Sequence, residues 1–167
     1  MTAIDAHGLS VDVPPGWDGR IFRRAEAGEL RAADVPGAVA PAGERTFPVV
    51  QVATVPIPAD SADYGSDIVP ALGASDVLVI LKEFDPDASA QALFAQQGMP
   101  QALDPEDFDP AALQRRLDGQ AGRQVFFNES GRAFCLYVVI GSYAARNDVV
   151  DAANRVLGSI HIYPASP

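Results

Sequence analysis

Gln124-Val-Phe-Phe-Asn-Glu-Ser-Gly-Arg-Ala-Phe-Cys-Leu-Tyr-Val-Val-Ile140 is the stretch whose reading decides the fold. Its first part, Gln124 to Asn128, is rich in β-branched and aromatic residues. Asn128 to Gly131 is polar and ends in Gly, which is turn chemistry. Ala133 to Ile140 is an unbroken apolar run closed by Gly141 and Ser142. A strand this apolar has both faces covered, so Ala133 to Ile140 is expected in the middle of a sheet, as one arm of a hairpin. The run is far too short to span a bilayer.

Downstream the period changes. Val149, Val150, Ala153, Val156 and Leu157 share one face of a helix. Asn147 or Asp148 can cap its start, and Gly158 is expected to end it in the left-handed conformation. Ser159 to Tyr163 alternates, with Ile160 and Ile162 inward and Pro164 stopping the strand. Hairpin, helix and strand form an α/β unit whose helix packs across the sheet.

Upstream, His7 to Arg24 reads as a first hairpin that turns at Pro14-Pro15-Gly16-Trp17, with Trp17 covering one end of a core. Glu26 to Asp34 could make a short helix, although Gly28 counts against it. Thr46 to Pro58 reads as a strand whose prolines keep its ends outside the ladder. A helical turn is expected around Tyr64 to Leu72, and a second central strand over Asp76 to Phe84. Asp87 could cap a helix from Ala88 to Gln97, and Asp109-Pro110 could open another through Leu117. No linker divides the chain, so residues 1–167 are expected to form a single domain.

The chain has 22 acidic and 12 basic residues, a net charge of −10. That balance repels nucleic acid and anionic membranes. Lys82 is the one lysine, and the abundant Arg, Ala, Pro and Gly suggest GC-rich bacterial coding. A single cysteine, Cys135, allows no internal disulfide. Neither a leader pattern nor a membrane span is legible, so the expected location is cytoplasmic.

Several constellations could carry chemistry. Cys135 with His161 could pair as nucleophile and base, but Cys135 lies inside an apolar run, where thiols are usually inert core. Asp104, Glu106, Asp107 and Asp109 could offer oxygens to Ca²⁺; the spacing is not that of an EF-hand, and loop and cap roles explain them better. Asp85 and Asp87 read the same way. No motif for a nucleotide, zinc or a cofactor is present, so no metal and no cofactor are expected.

Arg20, Arg23 and Arg24 form the one basic concentration, with Arg115, Arg116 and Arg123 a looser second group. On an extended strand Arg20, Phe22 and Arg24 share a face. The bland reading pairs them with the chain's own carboxylates. The sharper one makes Trp17, Arg20, Phe22 and Arg24 a surface for an acidic partner, since Arg forks recognise carboxylates.

Two stretches resemble the PsbP-like superfamily, which includes the photosystem II extrinsic protein, the Ran-binding Mog family and LpqN-type lipoproteins. They are Ser10-Val-Asp-Val-Pro-Pro-Gly-Trp17 and Arg132-Ala-Phe-Cys-Leu-Tyr-Val-Val-Ile-Gly141 with the helix and strand that follow. Together they cover about a third of the chain and suggest an actinobacterial branch. The resemblance implies an α+β fold, an α/β/α sandwich with a mainly antiparallel twisted sheet and helices on both faces. It also implies a binding or assembly module rather than an enzyme. The expected function is therefore non-catalytic protein binding. A carrier of a small apolar ligand, lined by Phe94, Phe126 and Tyr137, is the alternative, and a carboxylate-dependent enzyme comes third.

Overall fold

The computed structural model describes residues 1–26 and 43–165. These hold eight strands, β1 (Thr2–Ala6), β2 (Leu9–Val13), β3 (Asp18–Phe22), β4 (Val49–Ala53), β5 (Val77–Phe84), β6 (Ala121–Glu129), β7 (Arg132–Ile140) and β8 (His161–Ile162). There is one α-helix, α1 (Arg146–Leu157). β3-β4-β5-β7-β6 form a five-stranded antiparallel sheet, and β1-β2-β8 form a separate three-stranded one.

The expected α/β/α sandwich is therefore corrected. The protein is mostly β, and its single α-helix covers one face only. Where helices were expected over 88–97 and 110–117, the chain makes short 3₁₀ turns at Pro86–Ala90, Ala92–Phe94 and Pro110–Ala112. The physical reason is local. Asp85, Asp104 and Asp109 each accept a backbone N–H two residues on, at 2.8–3.0 Å, and each is followed by Pro. Such Asx turns compete with helix propagation, and these segments carry no apolar stripe long enough to outweigh them. The turn expected at 64–72 is a 3₁₀ turn at Val69–Ala71. The helix proposed from Glu26 lies outside the described residues beyond Glu26 itself.

The first hairpin is also corrected. β2 and β3 do not pair; the Pro14–Trp17 turn carries the chain from the small sheet to the large one. β2 pairs with β1 and with β8, at the far end of the chain. By contrast the 124–140 hairpin forms as expected, with Ser130 (φ 54°) and Gly131 (φ 75°) as a two-residue turn. Two successive positive φ values mark the turn that matches strand twist. Gly158 ends α1 with φ −63°, not in the left-handed region.

Side chains alternate along β5 and β7 and divide the interior in two. Val77, Val79 and Leu81 with Phe134, Leu136, Val138 and Ile140 face β2, α1 and the 99–108 segment. Trp17, half-buried, packs against this core. Leu78, Ile80, Cys135, Tyr137 and Val139 face the other way, under Ile68, Val69 and Leu72. All nine residues of β7 are buried, which is why the strand reads as unbroken apolar sequence after Arg132.

Candidate functional site

The edge strand β3 positions the residues singled out from the sequence. Phe22 packs on the second core, and the Arg20 guanidinium lies 4.2 Å from its ring centre. Arg20 Nη1 donates to the carbonyls of Pro58 (2.9 Å) and Ala59 (2.7 Å). It therefore fastens the 58–59 segment to β3. Arg24 extends beyond the strand end, with Nη2 3.2 Å from Asp63 Oδ1. The shared face of Arg20, Phe22 and Arg24 is real, but Trp17 belongs to the opposite core.

Arg24 opens onto a hollow of about 320 Å³ at the end of β5. Its walls are Arg45, Phe47, Asp63, Lys82, Phe84 and Asp85, with Glu44 on the rim and Glu83 behind. β5 places Lys82 and Phe84 on one face by strand alternation. Lys82 Nζ donates to Asp63 Oδ2 at 2.9 Å and lies 5.0 Å from the Tyr64 ring centre and 5.5 Å from that of Phe84. Arg45 Nη1 donates to Asp85 Oδ2 at 3.0 Å and lies 5.4 Å from the Phe47 ring centre. Asp63 is thus shared by two cations, while Asp85 has its own. The volume sits at the low end of the roughly 300–1,000 Å³ typical of small-ligand sites.

Glu83 points to the other side of the sheet, as alternation requires. It is 6% exposed and accepts two hydrogen bonds from Arg132, Nε to Oε2 at 3.1 Å and Nη2 to Oε1 at 2.5 Å. Arg132 also donates to the carbonyls of His7, Gly8 and Tyr163. This is a structural clamp between the two sheets.

Cys135 and His161 are not brought together. Cys135 is buried under the 60s segment, and His161 is exposed on β8, on the opposite side of the large sheet. Burial pushes the thiol up to about 11, against the opposing pull of Gln124, Lys82 and Tyr64. Tyr64 is likewise pushed up, first by burial and then by its acidic neighbours Cys135 and Asp63. In the acidic segment, Asp104 and Asp109 cap 3₁₀ turns, and Glu106 pairs with Arg146 at 3.2 Å. Among the described residues no three metal-ligating side chains converge.

A second pocket of about 110 Å³ lies between Tyr64, Val69, Leu117 and Tyr137, with Arg115 at its edge. Phe94 and Phe126, expected beside Tyr137, instead pack on each other with ring centres 5.6 Å apart, and both pack on Phe84.

Sequence reading missed Asp63, Lys82, Arg45, Phe47 and Phe84. One signal was available: Lys82 is a lone cation in an apolar central strand, where a charge needs a partner. Among the described residues no helix is long and apolar enough to cross a membrane. No protein-family model matches the chain, no curated protein or solved structure matches it significantly, and no match bears on the PsbP-like resemblance.

Proposed function

We propose that the chain is a non-catalytic protein-binding module that grips its partner at the hollow between Arg24, Arg45 and Lys82. The observation behind this reading is the sharing of Asp63 by Arg24 and Lys82 beside the rings of Phe47 and Phe84. Fixed charges orient a partner, and aromatic walls supply contact area, a combination typical of interface anchors. Asp63 and Asp85 are each held by cations, which suits charge recognition better than proton transfer. We take the working compartment to be the cytoplasm, where a lone buried thiol such as Cys135 needs no partner cysteine.

The carrier reading has less support. The Tyr64–Tyr137 pocket is about 110 Å³, well below the usual size of a carrier site. The module reading is tested by immobilising the wild-type chain and the Arg45→Glu variant and exposing both to host extract. Arg45 is on the surface, so the charge reversal leaves the core alone. A protein retained by the wild type and lost by the variant is the expected result. An identical set retained by both would sink the reading.

A further inference from the structure

We infer that the Arg24–Lys82 pair recognises a single carboxylate of the partner. This rests on the binding-module reading and names the group the module takes.

The charge arrangement carries the inference. Around Asp63 stand two cations, Lys82 Nζ at 2.9 Å and Arg24 Nη2 at 3.2 Å. Among the described residues, Asp63 is the one ion-pair partner each of them has. The neighbouring carboxylates do not make up the deficit. Glu83 is taken by Arg132 on the far side of the sheet, and Asp85 is taken by Arg45. Glu44 stands exposed on the rim, where solvent and salt screen it. The inner part of the hollow therefore holds one positive charge beyond what Asp63 balances.

Geometry agrees with the charge. The ammonium of Lys82 has three N–H donors, and its hydrogen bond to Asp63 occupies one of them. The rings of Tyr64 and Phe84 hold it in place without accepting those hydrogens as strong bonds. Arg24 has a planar fork whose geometry matches a carboxylate. One unit of surplus charge fits a carboxylate monoanion. A phosphate dianion would overcompensate that single charge and leave the inner hollow negative beside Asp63.

Because Lys82 is the chain's one lysine, its protection can be read directly. The full chain is acetylated with an amine-reactive ester, alone and with N-acetylphenylalaninate, N-acetylphenylalaninamide or inorganic phosphate. Peptide mass spectrometry separates Lys82 from the N-terminal amine. The expected result is a several-fold slowing at Lys82 with the carboxylate probe, and none with the neutral amide or with phosphate. Probe affinity, followed by NMR, should fall roughly tenfold in Lys82→Met and in Arg24→Gln, the loss of one charge-assisted bond. It should rise in Asp63→Asn, which frees both cations.

Equal protection by the amide, stronger protection by phosphate, no slowing with any probe, or unchanged affinity in both folded cation variants would each overturn the inference. The two readings fail separately. A partner retained through Arg45 that N-acetylphenylalaninate does not displace defeats the carboxylate assignment alone. A probe that binds while no partner depends on Arg45 defeats the module reading alone.

Discussion

Arg132 directs all five of its N–H groups to acceptors, two on Glu83 and three on the carbonyls of His7, Gly8 and Tyr163. It thereby ties the β1–β2 turn and the C-terminal strand to the large sheet. Gly8 is glycine for two reasons: its φ is +74°, and a Cβ there would come within 2.9 Å of Arg132 Nη1. Breaking a buried pair leaves the survivor uncompensated, so Arg132→Met should cost about 3–5 kcal/mol in urea unfolding. Arg132→Met with Glu83→Leu should recover part of that loss. A single-variant cost below about 1 kcal/mol would show that Arg132 is not the clamp described. Cys135 supplies a second residue-scale test. A thiol raised to about 11 stays protonated in the folded chain while the unfolded chain ionises near its ordinary value. The unfolded state then binds fewer protons, so stability falls as pH rises, by about 1.4 kcal/mol per unit between about 9 and 10, above which the raised Tyr64 and Tyr137 add to the fall. Cys135→Ala should flatten that slope; an unchanged slope would assign it elsewhere.

At the scale of elements, legibility followed the strength of local patterning. β5, β6, β7 and α1 were readable because their apolar residues recur with a strict period or fill a whole strand. β1, Thr-Ala-Ile-Asp-Ala, has one large apolar residue, and the small sheet depends on β2 meeting a strand some 150 residues away. Neither fact has a local signature. The 3₁₀ turns were over-read as helices because a Pro after Asp opens both, and what decides between them is the apolar face that follows. Packing of the 99–108 segment onto α1 depends on Asn154, which accepts from Leu103 N at 2.8 Å and donates to Leu103 O at 3.0 Å. Asn154→Ala should cost about 1–3 kcal/mol and speed hydrogen exchange in that segment while sparing β5 and β7. Gly141 marks another close approach: a Cβ there would fall 1.7 Å from the Gly73 carbonyl oxygen. Gly141→Ala should therefore destabilise by at least the roughly 1–3 kcal/mol of overpacking. Gly16→Ala meets no atom, and only its φ of +82° resists, at about 1–2 kcal/mol. Equal melting temperatures for the two variants would contradict this assignment.

Across the whole molecule, one five-stranded sheet is sealed on both faces. β2, α1 and the 99–108 segment cover one side, and the 55–72 and 113–117 segments cover the other. The apolar sequence that made the central strands legible is consumed in this sealing and carries no function in the proposed reading. The candidate site lies where the pattern breaks, at the charged end of β5. It joins residues from four separated parts of the chain, Arg24, Arg45, Asp63 and Lys82, which is why sequence offered only Arg24 of its charges. The most direct test is the dissociation constant of a retained partner for the wild-type chain and for Lys82→Met, measured by calorimetry with matching circular dichroism. A weakening of roughly tenfold or more is expected; equal affinities would contradict a grip centred on the Asp63 charge cluster.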